Sequence, residues 1–102
     1  MDDKGKLTID RLREGKDTLK LTLSGDLDIK TAPQLKNFIE SLITEGDINL
    51  KLDLSRLSYL DSSGFTVLVD ATRRTKAIKG NLDLSNLPPW MTEFFDMSAL
   101  ER

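Results

Sequence analysis

Apolar and polar residues alternate in four segments of this sequence, and a period of two predicts β-strands with one buried face. The first two segments, "KLTID" and "TLKLTLSG", flank the polar stretch "REGKD", where Gly15 allows a tight turn. We therefore predict an antiparallel hairpin at the N-terminus. Two later segments, "DINLKLDLS" and the short "GNLDLSN", predict a third and a fourth strand. The apolar positions expected to share one face in the first three strands are Leu7, Ile9, Leu19, Leu21, Leu23, Ile48, Leu50, Leu52 and Leu54.

Between these strands, apolar residues recur at spacings of three and four, which is typical of amphipathic helices. In "TAPQLKNFIESLITEG", Thr31 is a candidate cap, Pro33 suits the first turn and Gly46 suits the far end. A second helix is predicted over residues 64–79, before Gly80. The residues expected on its buried face are Leu68, Ala71, Thr75 and Ile78.

A third helix is predicted to open at Pro89, with an apolar side that should pack in the core. That side consists of Trp90, Met91, Phe94 and Phe95. The order of elements is β, β, α, β, α, β, α, and strands joined through helices are expected to be parallel with right-handed crossovers. Because the strands alternate instead of being apolar throughout, the helices should cover one face of the sheet only.

The fold class expected from this pattern is α/β, with a four-stranded, mostly parallel sheet and an antiparallel N-terminal strand. The 102 residues are enough for one domain that folds without disulfides or metals. We expect a single domain over residues 1–102, with residues 1–5 frayed.

Charge and composition exclude several classes of function. Fifteen Lys and Arg against 17 Asp and Glu give a net charge of -2, which argues against a dedicated nucleic-acid or anionic-membrane binder. Cysteine and histidine are both absent, so disulfides, Cys/His zinc sites and Ser-His-Asp catalysis are ruled out. No apolar run suggests a membrane span or a signal peptide. We expect a cytoplasmic protein without a cofactor.

The segment "LDSSGF", residues 60–65, joins the third strand to the second helix. In open α/β sheets, sites are built at this end of the strands, and a helix N-terminus there offers unpaired N–H groups. Helix capping explains either Asp61 or Ser62 but not both, and Gly64 allows another backbone or a partner to approach closely. A spare, exposed hydroxyl remains, and it suits the attachment of a phosphate.

"LDSSGF", preceded by "LDLSRLSY" and followed by a helix, resembles the signature of the STAS domain, and most closely that of the bacterial anti-sigma factor antagonists. Three further segments, "LSGDLDIKTAP", "GNLDLSN" and "FFDMSAL", are similar to those of the family. The resemblance extends over nearly the whole chain from about residue 5. It implies a protein, not an enzyme, that binds an anti-sigma factor and so frees a sigma factor for transcription.

The resemblance also implies a phosphorylation switch. In the family, the anti-sigma factor is a serine kinase of the GHKL type that phosphorylates the antagonist in this turn, and a PP2C-type phosphatase removes the phosphate. Carried over by position, the phosphorylated residue is Ser62. We expect the protein to be a monomer or a weak dimer. The expected partner surface comprises Asp26, Asp28, Thr31, Asp61, Ser62, Ser63, Gly64 and Phe65. Where the family commonly continues with Leu-Gly, this chain has Phe65 and Thr66, so close docking of the usual partner is expected to differ there.

Three other functions remain open. Ser62 as an enzymatic nucleophile would need a base, and no lysine lies near it in sequence. Nucleotide or small-anion binding could use the same helix N-terminus, although the chain lacks a glycine-rich phosphate loop. A STAS domain could also serve as a general signalling or scaffold module.

Overall fold

The computed structural model describes residues 5–93, which form one sheet with two helices and a short 3-10 helix. In chain order the elements are β1 (Leu7–Glu14), β2 (Thr18–Leu27), α1 (Ala32–Thr44), β3 (Asn49–Leu60), α2 (Ser62–Ala77), β4 (Asn81–Ser85) and the 3-10 helix Pro89–Met91. The sheet order is β1-β2-β3-β4. Strand β1 is antiparallel to β2, and the other neighbours are parallel, which confirms the predicted sheet.

The two helices pack on one face of the sheet, as predicted. Strand β2 alternates strictly between buried and partly exposed residues, and its buried face is made of leucines and Gly25. Helix α1 contributes Ala32, Leu35, Ile39 and Leu42 to the interior, and α2 contributes Gly64, Leu68, Ala71 and Thr75. The opposite face carries polar side chains, including an ion pair between Lys51 and Glu14 at 3.5 Å.

One carboxylate on this polar face is buried. Asp53 is 8% exposed, accepts a hydrogen bond from the Ser55 amide at 3.0 Å and pairs with Lys20 at 3.7 Å. Burial by itself raises the pKa of Asp53, but hydrogen bonds from Ser55 and Asn86 and the charge of Lys20 outweigh it. The pKa of Asp53 therefore lies below its usual value.

Strand β3 extends to Leu60, beyond the predicted segment, and its pairing with β2 contains two β-bulges. Residues 22–24 of β2 lie opposite residues 53–56 of β3, and residues 25–26 lie opposite residues 57–59. Each bulge inserts one residue and so shifts the alternation of side chains by one position. This shift keeps three leucines buried although they are spaced three residues apart: Leu54, Leu57 and Leu60. The bulges lie directly before the "LDSSGF" turn.

Both helices end with a residue in the left-handed conformation and the hydrogen bonds of a Schellman motif. In α1 this residue is Gly46 (φ 98), as predicted, and its amide donates to Ile43 O at 3.0 Å. In α2 it is Lys79 (φ 64), not a glycine, and the following amide of Gly80 donates to Thr75 O at 2.7 Å. Helix α2 is shifted from the predicted range 64–79: it begins two residues earlier and ends two residues earlier.

Two residues after α2 are notable, and the first differs from the prediction. Ile78 is the C-cap residue and is 43% exposed, so its predicted place on the buried face is wrong. Gly80 is needed for close approach, since a Cβ atom there would lie 2.4 Å from the carbonyl oxygen of Ile48.

After β4, the predicted apolar side of the last helix is split. Met91 is fully buried, as predicted, whereas Trp90 is 44% exposed and its prediction as a core residue is wrong. The predicted core positions Phe94 and Phe95, and the predicted fraying of residues 1–4, lie outside the described residues. Gly5 is described, and its amide donates to Asp26 Oδ2 at 2.7 Å, which ties the start of the chain to the end of β2.

Candidate functional site

The carboxyl ends of β2 and β3 lie side by side, and the loops that follow them form the candidate site. Leu27 and Leu60 are neighbours in the parallel register. The amide of Asp61 donates to Leu27 O at 3.3 Å, which extends the contact beyond the strands. The sequence segments "SGDLDIKT" and "LDSSGF", separated by some thirty residues, are thus brought together.

Asp61 is the residue that joins the two loops. It is the N-cap of α2, where its Oδ1 accepts a hydrogen bond from the Gly64 amide at 2.9 Å. Its Oδ2 accepts a second hydrogen bond from the Ile29 amide at 3.1 Å. The sequence left open whether Asp61 or Ser62 is the cap, and the structure identifies Asp61. A cap of this kind contributes ~1 kcal/mol to helix stability.

Because Asp61 is the cap, both serines belong to the first helical turn. Ser62 is exposed, and its hydroxyl makes no hydrogen bond to any residue of the range 5–93. Its carbonyl oxygen accepts a hydrogen bond from Thr66 Oγ1 at 2.8 Å. Ser63 is partly buried. The N–H groups of these first positions have no acceptor within the helix, so the turn carries a partial positive charge. A group attached to the Ser62 hydroxyl would replace no hydrogen bond with the described part of the chain.

Gly64 is buried against the end of β2. A Cβ atom at this position would lie 2.4 Å from Leu27 O and 2.7 Å from Leu27 Cγ. The sequence left open whether another backbone segment or a partner approaches Gly64 closely. In the structure, the backbone of β2 approaches it. Phe65 is partly buried and packs against the core, and its amide donates to Asp61 O at 2.9 Å.

The β2–α1 loop, residues 28–31, is held by side chains of its own. Asp28 Oδ1 accepts hydrogen bonds from the amides of Lys30 at 2.9 Å and Thr31 at 3.1 Å. Thr31 occupies the N-cap position of α1, but its hydroxyl does not cap the helix as predicted. It donates to Asp26 O at 2.8 Å and accepts from the Asp28 amide at 2.9 Å. Thr31 is only 6% exposed, so its side chain stabilises the conformation of the loop through these internal hydrogen bonds.

Residues 26–31 and 61–65 together contain three carboxylates and one lysine. The carboxylates of Asp26, Asp28 and Asp61 form no ion pair within the described residues, and Lys30 is the cation of the β2–α1 loop. Two exposed apolar side chains in or beside these segments were not predicted from the sequence. Ile29 lies in the β2–α1 loop and is 69% exposed, and Tyr59 lies opposite Asp26 near the end of β3 and is 51% exposed. The signal that could have identified Ile29 is its position between two charged residues in a loop, where no core face requires it.

Other kinds of site are not apparent among the described residues. Nowhere in residues 5–93 do three or more Asp and Glu side chains group in a way that could hold a metal ion. The helices in this range are too short and too polar to cross a membrane.

The chain is similar to known proteins over most of its length. Residues 11–102 match the family model described as "Mlab, STAS domain". An anti-sigma-B factor antagonist of Bacillus subtilis (strain 168) is 28% identical over 90 residues, which cover 88% of this chain and 82% of that protein. An anti-sigma-B factor antagonist of Listeria monocytogenes is 30% identical over 84 residues, covering 82% and 74% respectively. The solved structure of the phosphorylated form of the Bacillus cell fate determinant SpoIIAA is 27% identical, with a TM-score of 0.76 and coverage of 92% of this chain and 86% of that one.

Proposed function

Because the chain belongs to the STAS domain family and resembles its anti-sigma factor antagonists, we propose that it binds an anti-sigma factor and so releases a sigma factor. The observation that carries the proposal is the environment of Ser62. Its hydroxyl is exposed at the start of α2 and makes no hydrogen bond to the described residues. The turn beneath it is held by the Asp61 cap and by the contact of Gly64 with Leu27.

The proposed switch is phosphorylation of Ser62 by an anti-sigma factor that is also a GHKL-type serine kinase, and its reversal by a PP2C-type phosphatase. Phosphate adds about −1.5 to −2 charge and three acceptor oxygens. Within the isolated domain the helix N-terminus would favour that charge by ~1 kcal/mol or less. Because the Ser62 hydroxyl forms no hydrogen bond with the described residues, phosphorylation should leave the fold unchanged. One of the similar solved structures is of a phosphorylated protein, which supports this reading.

Phosphorylation of Ser62 should affect partner binding far more strongly than it affects the stability of the fold. The carboxylate of Asp61 is engaged by two backbone amides, those of Gly64 and Ile29, so it cannot readily turn away from a phosphate on Ser62. A docked partner would have to desolvate the phosphate beside this negative charge. A penalty of ~3–4 kcal/mol weakens an equilibrium by a few hundredfold, which is enough to dissociate a complex.

The remaining predicted surface residues divide into two groups by their burial. Asp26, Asp28, Ser63 and Phe65 are partly exposed, and we propose that they contact the partner together with Asp61 and Ser62. Thr31 and Gly64 are buried, and we propose that they act by holding the shape of the two loops. Thr66 is exposed one turn after Ser62, so the partner must accommodate its side chain.

Intact-mass spectrometry tests the switch directly. The unmodified protein, Ser62→Ala and Ser63→Ala are each incubated with ATP and with purified anti-sigma factor kinases of the source cell. We expect one phosphate on the unmodified protein and on Ser63→Ala, and none on Ser62→Ala. Modification of Ser62→Ala would show that the phosphate lies elsewhere.

Affinity for the same kinase tests the consequence of the charge. Ser62→Ala should bind as tightly as the unmodified protein, whereas the phosphate-mimicking Ser62→Asp should bind on the order of a hundredfold more weakly. Circular dichroism of both variants serves as the control for folding. Wild-type affinity of Ser62→Asp would contradict the proposed switch.

A second candidate is a STAS module that binds its partner without a phosphorylation switch. The match to the family model described as "Mlab, STAS domain" favours it, because that description names no sigma-factor regulator. Under this alternative no kinase would modify Ser62, and a Ser62→Asp variant would keep its partner. Nucleotide or anion binding at the same helix start would instead appear as saturable binding of ATP or phosphate to the isolated protein.

A further inference from the structure

Asp53 is the one buried ionisable side chain among residues 5–93, and the proposed switch does not use it. It is 8% exposed and pairs with Thr22 of β2 and Ser85 of β4 in the parallel register. Because Leu52 before it is buried on the helix side, Asp53 is directed to the opposite face of the sheet. A charged group is rarely buried unless hydrogen bonds and an opposite charge compensate for its lost hydration. The partners of Asp53 therefore indicate what it does.

These partners belong to three strands or to the residues that follow them. Asp53 Oδ1 accepts a hydrogen bond from the Ser55 amide at 3.0 Å, and Asp53 Oδ2 lies 3.7 Å from Lys20 Nζ of β2. The side chain of Asn86 donates to the same carboxylate from the position directly after β4. Asn86 is in the left-handed conformation (φ 56), which asparagine adopts more easily than most residues. One carboxylate thus links β2, β3 and the end of β4.

The hydrogen bond from Ser55 to Asp53 spans the first bulge of β3. Thr22 pairs with Asp53 and Ser24 pairs with Arg56, so one residue of β2 faces two residues of β3. A bulge interrupts the ladder of backbone hydrogen bonds and leaves the inserted residue unpaired. The carboxylate supplies an acceptor for the Ser55 amide at this place, in the local turn that aspartate and asparagine form with the backbone two residues on. Asp53 therefore stabilises the bulge.

The two bulges of β3 set the position of the turn that follows it. The numbers of paired residues differ by 31 at Thr22 and Asp53 but by 33 at Leu27 and Leu60. Each inserted residue withdraws the end of β3 by about 3.3 Å and exchanges the faces of the residues after it. If the first bulge were lost, another residue would lie opposite Leu27. The Asp61 amide could then not reach Leu27 O, to which it donates at 3.3 Å.

We propose that Asp53 is a positioning residue for the turn that carries Ser62. By closing the first bulge, Asp53 fixes the register in which Asp61 meets Leu27, and so it acts on the start of α2 from the opposite face of the sheet. The role requires the hydrogen bond from Ser55 and not the charge of the carboxylate. That this register controls phosphorylation rests on the proposed function; the control of the register itself is argued from hydrogen bonds and strand pairing alone.

Two substitutions separate the geometry of Asp53 from its charge. Asp53→Asn loses the charge but keeps an acceptor oxygen at the same distance from the backbone, whereas Asp53→Glu keeps the charge and moves it one methylene away. Asp10→Glu is the matched control, because Asp10 is an exposed carboxylate opposite Thr22 on the same face. Leu82→Ala is the control for stability, because Leu82 is buried in β4 opposite Leu50, near the start of β3.

Amide hydrogen exchange by NMR near neutral pH reports on the register. In Asp53→Glu, the amides of Ser55 and Asp61 should exchange roughly tenfold faster relative to that of Leu52, because the loss is local to the bulge and the turn. In Asp53→Asn and Asp10→Glu, these ratios should stay within about twofold of the unmodified protein. In Leu82→Ala, the three amides should accelerate together. If circular dichroism shows that Asp53→Glu does not fold, Asp53→Ala replaces it with the same expectations.

Phosphorylation tests the consequence for the candidate site. With the kinase of the proposed switch, Ser62 should be phosphorylated on the order of tenfold more slowly in Asp53→Glu, because a displaced hydroxyl is poorly placed for phosphoryl transfer. Asp53→Asn and Leu82→Ala should react within about twofold of the rate of the unmodified protein. Rescue by asparagine distinguishes positioning of the turn from a general loss of stability.

The outcomes separate this inference from the proposed function. If hydrogen exchange changes as expected but no kinase phosphorylates the unmodified protein, the positioning of the turn is supported and the proposed function fails. If Ser62 is phosphorylated as proposed, but Asp53→Glu exchanges or reacts like the unmodified protein, the proposed function stands and this inference is overturned. Equal effects of Asp53→Asn and Asp53→Glu, or the same local pattern in Leu82→Ala, would overturn it too.

Discussion

Substitutions of Asp61 test how the candidate site is held together, because its two carboxylate oxygens accept hydrogen bonds from different segments of the chain. Oδ1 caps helix α2 through the Gly64 amide, and Oδ2 binds the Ile29 amide of the neighbouring loop. Replacement by alanine removes both hydrogen bonds, whereas asparagine retains one acceptor oxygen and caps helices about as well as aspartate. The pair of variants therefore separates the cap from the link between loops.

The size of each effect follows from these contacts. Loss of the cap costs ~1 kcal/mol, and loss of a single hydrogen bond to an exposed amide costs ~0.5–1 kcal/mol. We expect Asp61→Ala to lower the free energy of unfolding by about 2 kcal/mol, which for a chain of this length lowers the melting temperature by roughly 10 °C. Asp61→Asn should lose only the link to Ile29, at ~0.5–1 kcal/mol.

Urea denaturation measures the two stabilities, and amide hydrogen exchange by NMR locates the loss. In Asp61→Asn the Ile29 amide should exchange faster while the Gly64 amide remains protected; in Asp61→Ala both should exchange faster. Equal destabilisation by alanine and asparagine, or unchanged exchange at Ile29 in Asp61→Asn, would refute this account of the site.

Three further predictions concern the fold. Gly64→Ala should destabilise the protein by ~1–3 kcal/mol in urea denaturation, because its Cβ would lie 2.4 Å from Leu27 O; a loss below ~0.5 kcal/mol would contradict the close contact. Lys79→Gly should stabilise it by ~1 kcal/mol in the same assay, since Lys79 is in the left-handed conformation (φ 64), and any destabilisation would argue against that. The pKa of Asp53 is lowered, so its contribution to the stability of the fold is present above pH ~4 and is lost as the pH falls through the lowered value. The stability of Asp53→Asn should therefore change less than that of the wild type between pH ~5 and ~2. Equal acid sensitivity of the two proteins would contradict this role.

Trp90 is an apolar residue that the core leaves at the surface. Its side chain is 44% exposed in the segment that follows β4. Met91 beside it is fully buried and anchors that segment in the core. An exposed tryptophan on an anchored backbone is a residue type enriched at binding hot spots.

The sequence by itself determined the four strands and the first two helices of this fold and their order. Alternating leucines predict the strands, and the stripe of α1 and the left-handed Gly46 predict that helix and its end, because these signals depend on residues a few positions apart. It also located the candidate turn, since a glycine, a carboxylate and two hydroxyls at the end of a strand are visible without coordinates.

The tertiary structure alone decided what the residues of the turn do. The contact of Gly64 with Leu27 and the bond from Ile29 to Asp61 join segments more than thirty residues apart, so no local pattern encodes them. The same holds for the bulges of β3, which exist only relative to β2 and keep its last leucines buried. Exposure, too, depends on what the rest of the chain covers: Ile29 and Trp90 are apolar yet lie at the surface, because no other element packs over them among the described residues.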